Sequence, residues 1–479
     1  MNIGKYIKQL AGESFVYGFS GIVGGLIGIF LVPVYTRVFS PEDFGIVSLI
    51  IVLAGLVMMV ATLALDNSAA RWFYDSEDPV DRKTTISSWF WCQLIVSSCL
   101  AAVIIATAPF ISLLLTDTVE NANLVRLMAL AVPLGAGGMV LGNWFRFQRL
   151  PVRAVSFTIS RALIDVGLII LFVVFLGFGM VGLFSAQLAT AFVVMVAAII
   201  FLKDWISPAL FSWRRLRPML RYALPLIPAA VGLWVMMSMD RIMLKQFAPM
   251  SEVGLYAIGA MVASGVALIT SAFSQAWGPF AYSILKEPES GRVYARVLDY
   301  YSYLGCAACA GVALFAPLIL RILSTEAYYA AASTVAILSF GTLLNGSRFI
   351  AALGCGIAKK SGPNAFSVGI GAAVNIVLNL LLIPLWGRNG AAVATVLAWG
   401  ISAFYLFGAS QRYHYIPYRW SMAIAPLVLA CVLVALDSWM VVGDGFLAYG
   451  ARVGLMLTFV PLGMVMGLVN WRVIAGRGR

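Results

Sequence analysis

Apolar runs of roughly 20 residues follow one another along this chain from residue 14 to residue 470, parted only by short polar connectors. A run of that length lets a helix cross the hydrocarbon core of a bilayer, where the backbone must satisfy its own hydrogen bonds. Hydrophobic residues fill 62% of the 479 positions and charged residues only 11%, which leaves too little polar surface for a water-facing exterior. The expectation is an all-α polytopic membrane protein with about fourteen transmembrane helices, the first at 14–36 and the last at 447–470. Ser40-Pro41-Glu42-Asp43, Lys286-Glu287-Pro288-Glu289 and Ser361-Gly362-Pro363-Asn364 punctuate the runs as turns or helix starts.

The connectors carry a charge bias. With the amino terminus inside, Arg71, Arg82, Lys83, Arg146, Arg149, Arg153, Lys203, Arg214, Arg215, Arg217 and Arg221 fall on the inner side, as do most later cations. Only Arg37, Arg126, Arg241, Lys245, Arg321, Arg388 and Arg452 lie toward the outer side. Basic connectors stay in the cytoplasm, so both termini are expected there. This pattern accounts for the net charge of +12 without a nucleic-acid partner, since no basic face or stacking platform is present. Lys5 and Lys8 precede the first run, no small-residue cleavage site follows, and an uncleaved first span is expected.

Catalytic and metal chemistry find no footing. Cys306 and Cys309 form a CxxC, but inside an apolar run flanked by Gly305 and Gly311 they read as packing residues. The single His414 falls in a connector, and no phosphate-binding glycine loop or nucleophile–base set occurs. Neither a metal nor a cofactor is expected, and the chain is not read as an enzyme.

An internal repeat divides the sequence. Asp165, Gly177 and Ser185 align with Asn375, Gly387 and Thr395, each 210 residues later, in similar apolar surroundings. Phe39-Ser40-Pro41-Glu42-Asp43-Phe44-Gly45 is echoed by Phe247-Ala248-Pro249-Met250-Ser251-Glu252-Val253-Gly254, with Arg37 and Lys245 two residues before each Phe. The repeat predicts a six-helix lobe over 1–205, a basic cytoplasmic linker over 206–221, a second six-helix lobe over 222–412, and two further helices over 413–479. Six spans bring the chain back to the side it started from, so the lobes are parallel, related by an axis along the membrane normal around a central cavity. Pro225 and Pro228 must kink or open the seventh span, which makes it an element for alternating access.

Several motifs in order carry a resemblance. They are Thr36-Arg37-Val38-Phe39-Ser40-Pro41-Glu42-Asp43-Phe44-Gly45, Ser68-Ala69-Ala70-Arg71-Trp72-Phe73-Tyr74, Tyr222-Ala223-Leu224-Pro225-Leu226-Ile227-Pro228, Asp240-Arg241-Ile242-Met243-Leu244, Val253-Gly254-Leu255-Tyr256 and Gln275-Ala276-Trp277-Gly278-Pro279-Phe280. In this combination the whole chain resembles the Wzx-type polysaccharide flippases, within the superfamily of MATE exporters and the lipid II flippase. The resemblance implies transport of a polyprenyl-diphosphate-linked oligosaccharide from the inner to the outer leaflet of a bacterial cytoplasmic (inner) membrane, for O-antigen, capsule or exopolysaccharide assembly. Implied partners are that glycolipid, membrane lipids, and a polysaccharide polymerase or glycosyltransferases.

Charges held within spans are the functional candidates, because burying them in hydrocarbon is costly. A diphosphate passenger calls for arginine, whose charge persists and whose planar fork binds phosphate oxygens in pairs. Arg37, Arg71, Arg161, Arg241 and Arg348 are therefore the candidates for a cationic cavity, with Trp277 as a wall aromatic. A purely structural role is also open to these residues. Arg161 and Asp165 share a helical face and could neutralise each other, Arg241 could snorkel, and Arg37 could meet headgroups. Asp66, Asp165 and Asp240 are candidates for ion coupling, as a MATE-like cation-driven exporter of small amphipathic molecules would require. A lipid II-type precursor flippase fits the same residues, whereas a non-transporting scaffold for glycosyltransferases would not need buried arginines.

Overall fold

The computed structural model describes residues 26–440 and 445–468. Lys5, Lys8 and the first half of the expected opening span lie outside the described residues, and so does the carboxy-terminal tail. Among the described residues every regular element is helical. Among these residues, too, eleven helices are long and apolar enough to cross a membrane, or twelve when a bent pair is taken as one span. The chain is thus a multi-pass α-helical membrane protein.

The packing divides into two units, residues 1–257 and 258–479. In the first, α1 (Leu26–Val38) leads into α2 (Pro41–Thr62). Ser40 and Asp43 cap α2 reciprocally: the Asp43 amide donates to Ser40 Oγ at 3.1 Å and the Ser40 amide to Asp43 Oδ2 at 3.2 Å. This is the capping box for which the Ser-Pro-Glu-Asp sequence is suited. α2 breaks before α3 (Leu65–Asp75), because Leu63 and Ala64 take left-handed φ angles of 48° and 51°. α4 (Pro79–Thr116), α5 (Ala122–Phe147), α6 (Pro151–Ile169) and α7 (Gly179–Leu202) follow, α6 running on through a π-helical stretch at Ile170–Phe175. Phe73, Trp89, Phe145 and Phe147 anchor the core where α3, α4 and α5 meet.

The stretch expected as a basic cytoplasmic linker is docked on α3 and α4. Ser87 Oγ and Trp91 Nε1 on α4 donate to the carbonyls of Ser207 and Ile206, and α8 (Trp213–Ala223) then lies against α3 and α4. A 3₁₀ turn, Leu224–Leu226, separates α8 from α9 (Ile227–Phe247) at Pro225 and Pro228. The helical hydrogen-bond pattern changes where proline cannot donate.

α10 (Met250–Ala263) and α11 (Gly265–Ser283) are bent by 44° across Ser264. In the second unit, α12 (Ser290–Leu314), α13 (Ala316–Leu323), α14 (Ala332–Ala351) and α15 (Leu353–Ile357) precede α16 (Gly362–Tyr413). α16 holds 52 residues and is two expected spans joined at Gly387, whose φ of 54° and ψ of −133° suit glycine alone. α17 (Trp420–Met440), α18 (Phe446–Leu457) and α19 (Phe459–Val465) complete the described helices. α17 packs on α12, fixed by an ion pair between Arg419 and the buried Asp299, and Arg452 of α18 donates to Asp437 of α17 at 2.9 Å. Cys306 and Cys309 are free and buried in this core, Cys309 Sγ donating to the Ser339 carbonyl.

Candidate functional site

In the first unit, α9 carries Asp240 and Arg241 side by side. Asp240 is 3% exposed; it accepts from the Tyr256 hydroxyl on α10 and, at 2.8 Å, from the Arg241 amide. Arg241 projects from a different face of α9, half-buried, with its Nε enclosed and without a hydrogen-bond partner. Among the described residues no carboxylate pairs with its guanidinium.

The other candidates of this unit are more open. Arg37 is exposed and donates to the Pro33 carbonyl at 2.9 Å. The Arg71 guanidinium lies 5.1 Å from the ring centre of Tyr222 and 5.9 Å from that of Trp72. Arg161 is exposed on α6, and Asp165, one turn on, is half-buried. The two make no direct ion pair, so the arginine is not locked to its neighbour on the face they share. Asp66 opens α3 just after the left-handed pair Leu63–Ala64 and accepts from Asn67 Nδ2 at 3.2 Å. At the far end of α9, Lys245 Nζ donates to Asp117 Oδ1 at 2.8 Å and to the Leu114 carbonyl at 3.1 Å, tying α9 to the end of α4.

In the second unit Arg348 stands out. It is 8% exposed, and its Nη2 donates to Ser367 Oγ at 3.1 Å and Asn364 Oδ1 at 3.3 Å. Its guanidinium carbon lies 5.4 Å from the centre of the Trp399 ring. Its Nε has no partner, and no carboxylate answers the charge among the described residues. Arg348 heads a buried polar seam shared by α14 and α16. Ser402 Oγ donates to the Ser367 carbonyl, Asn375 Nδ2 to Thr395 Oγ1 at 3.3 Å, and Asn379 Nδ2 to Asn375 Oδ1 at 3.0 Å. Asn379 Oδ1 is left without a partner. In the sequence Asn375 and Thr395 stand out only as repeat counterparts, and Asn379, Ser367 and Ser402 are not singled out at all. The i, i+4 spacing of the two asparagines in an apolar run is the signal that could have found the seam.

Trp277 is placed differently from a wall aromatic. It is 4% exposed, donates through Nε1 to the Phe349 carbonyl at 3.2 Å, and stacks on Phe273 with Tyr294 at its edge. It holds α11 to α12 and α14.

The arrangement thus contains membrane-embedded guanidinium groups lacking carboxylate partners and a buried carboxylate held by a tyrosine. Such cations are strong sites for an anion, since pairing relieves the cost of the buried charge. The pattern of the polysaccharide biosynthesis protein family matches residues 34–333. The chain belongs to this family.

It is also similar to the succinoglycan biosynthesis transport protein ExoT of Rhizobium meliloti (strain 1021), with 25% identity over 235 residues, 49% of this chain and 45% of the relative. An uncharacterized membrane protein of Methanocaldococcus jannaschii, MJ1068, matches at 29% over 214 residues, 42% of this chain and 41% of its own. The matched region spans less than half the length of each of these curated relatives. Among solved structures, the lipid II flippase MurJ in an inward closed conformation superposes with a TM-score of 0.73, covering 97% of this chain and 99% of its own at 12% identity. An inward-facing MATE family multidrug transporter of the MOP superfamily gives 0.66 over 82% of this chain and 94% of its own, at 16% identity. The fold is that of MurJ and the MATE transporters, as the resemblance in the motifs implied.

Proposed function

We infer that this protein moves a polyprenyl-diphosphate-linked oligosaccharide from the inner to the outer leaflet of the cytoplasmic membrane by alternating access. The observation that carries this reading is Arg348, a guanidinium buried in a membrane-embedded helix pair with no carboxylate to neutralise it among the described residues. A chain that only scaffolded other enzymes would have no use for so costly a charge. Arg241 supplies a second cation without a carboxylate partner among the described residues, and Arg37, Arg71 and Arg161 further positive charge. In this reading both termini lie in the cytoplasm, and Pro225 and Pro228 are bending points.

Membership of a polysaccharide biosynthesis family and the likeness to a succinoglycan transport protein support the cargo class. A groove of about 600 Å³ between α14, α16 and α17, lined by Phe340, Leu344, Phe404, Leu427 and Cys431 among others, is an apolar bed for the polyprenyl tail. The buried Asp240, held by Tyr256, favours a second element, cation coupling, with Asp66 and Asp165 as further acids.

Reconstitution in liposomes with a polyprenyl-diphosphate oligosaccharide tests the reading. Arg71→Ala, Arg241→Ala and Arg348→Ala are each expected to slow appearance of the sugar outside. Wild-type rates in all three sink the cationic-passage reading, and drug export with no glycolipid movement favours a MATE-like exporter.

A further inference from the structure

α8 is amphipathic in an unusual way. Its inner face, Leu216, Met219 and Ala223, is at most 1% exposed, seated on α3 and α4. Two polar contacts fix it there: Arg215 pairs with Asp81 at 2.6 Å, and the Ser212 amide donates to Ser88 Oγ at 3.0 Å. The opposite face presents Arg214, Arg217 and Arg221, at spacings of three and four residues, which places them in one stripe. All three are exposed, and none has an ion-pair or side-chain hydrogen-bond partner among the described residues. Aromatic rings flank the stripe: Trp213 is 59% exposed, Phe211 39% and Tyr222 40%.

We propose that this stripe is a binding surface for anionic phospholipid headgroups of the inner leaflet. The depth of the helix decides for lipid over a soluble acid. α8 continues into α9 through the single turn Leu224–Leu226, in one helix of 35 residues, so its last turns, with Arg217 and Arg221, stand at the inner end of a spanning helix, beside the headgroup layer. A helix end there with its apolar side covered by protein, arginines in a row and Trp and Tyr at its ends has the chemistry of an interfacial element. Guanidinium forks take phosphodiester oxygens in pairs, and aromatic rings settle at the carbonyl–headgroup boundary. The negative potential of an anionic leaflet adds attraction for each cation. α8 also immediately precedes the Pro225–Pro228 break. Headgroups gripping the stripe would fix the base of α9 and make the bending of this span depend on lipid charge. The proposal rests on the membrane topology under Proposed function but not on the cargo.

The test uses the full chain in detergent micelles doped with dioleoylphosphatidylglycerol or dioleoylphosphatidylcholine, reading retained lipid by native mass spectrometry and Tm by thermal unfolding. Phosphatidylglycerol is expected to be retained and to raise Tm, the effect fading in 0.5 M salt, where the screening length falls to a few ångströms (~4 Å). The variant Arg214→Gln, Arg217→Gln, Arg221→Gln should bind phosphatidylglycerol about tenfold more weakly, with an unchanged Tm in phosphatidylcholine. If that variant fails to fold, Arg217→Gln alone should show a smaller loss of the same kind. A control losing equal charge elsewhere, Lys359→Gln, Lys360→Gln, Arg412→Gln, should retain the lipid like the wild type. Equal loss in the control overturns the proposal, as does equal retention of the two lipids. Displacement by inorganic pyrophosphate, with no preference for the charged lipid, overturns it in favour of a free diphosphate. No glycolipid is present, so failure here is separate from failure of the transport reading.

Discussion

Gly254 rests directly on the backbone of the Gly45 turn: a Cβ at Gly254 would stand 3.0 Å from the Gly45 amide nitrogen and collide with the Pro41 carbonyl. The relation is mutual, since a Cβ on Gly45 would strike the Met250 backbone. These glycines close the two motifs, Phe39–Gly45 and Phe247–Gly254, that echo each other in the sequence. The amino-terminal ends of α2 and α10 therefore meet motif to motif, and only glycine on both sides allows the approach. Gly45→Ala and Gly254→Ala should each cost about 1–3 kcal/mol, as overpacking does, and lower Tm in detergent. A Tm equal to wild type for both would show that this contact does not persist in solution.

The same region holds the Lys245–Asp117 pair, which ties the end of α9 to the end of α4. If the carrier works by alternating access, these ends must part once per cycle. In a background with the six cysteines replaced by Ser, Asp117→Cys with Lys245→Cys should form a disulfide or a short bismaleimide crosslink. Glycolipid movement should then stop and resume on reduction of the disulfide. Undiminished transport by the crosslinked protein would rule out parting of these ends.

Arg149 and Lys359, 210 residues apart, both take left-handed conformations, with φ of 54° and 56°. Gly177 and Gly387 stand at the same offset, with φ of 66° and 54°. Of these pairs only Gly177 and Gly387 are marked in the sequence, because a positive φ there calls for glycine, whereas nothing local marks Arg149 or Lys359. Other features go unmarked as well. The break at Leu63–Ala64 involves neither Gly nor Pro, so it is imposed by packing and leaves no local mark. α8 falls mostly in the stretch expected as a basic cytoplasmic linker, and its apolar positions at 216, 219 and 223 are buried against α3 and α4. A neutral amide such as Asn379 carries no charge to mark it against an apolar run. The Trp277 indole reads alike in a cavity wall and in a core; only its neighbours distinguish them.

Left-handed backbone at a non-glycine residue costs roughly 1 kcal/mol. Arg149→Gly, Lys359→Gly and Ala64→Gly should accordingly stabilise by a few tenths to about 1 kcal/mol, less the extra freedom glycine has when unfolded. Gly387→Ala should destabilise by at least as much, since its ψ of −133° is closed to alanine. Thermal melts of the four variants in one detergent check the pattern. Opposite signs at Lys359 and Gly387 are the expected result, and equal signs would refute it.

The Asp240 carboxylate takes a hydrogen bond from Tyr256. Tyr256→Phe removes that donor while keeping the ring, leaving a buried carboxylate one donor short at a cost of about 1–3 kcal/mol. Asp240→Asn removes the charge that needed solvating, and the Tyr256 hydroxyl can still donate to the amide oxygen, so a smaller loss is expected. In a double-mutant cycle Tyr256→Phe should cost less on the Asp240→Asn background than on wild type. Additive losses would mean that the two side chains are not coupled.

Arg348 is a residue at which stability and function are expected to part. Its charge is buried without a carboxylate among the described residues, and its hydrogen bonds go to neutral Ser367 and Asn364. A well-packed apolar residue of similar length removes an uncompensated desolvation cost. Arg348→Met should therefore hold or raise Tm while transport of the proposed diphosphate-linked cargo falls. Arg348→Lys keeps a positive charge but loses the planar fork and its stacking on Trp399, so partial transport, roughly tenfold below wild type, is expected. The order wild type, Lys, Met for transport, with Met at least as stable as wild type, marks a charge retained for its passenger. A Met variant that melts early and transports normally when folded would make Arg348 a structural residue instead.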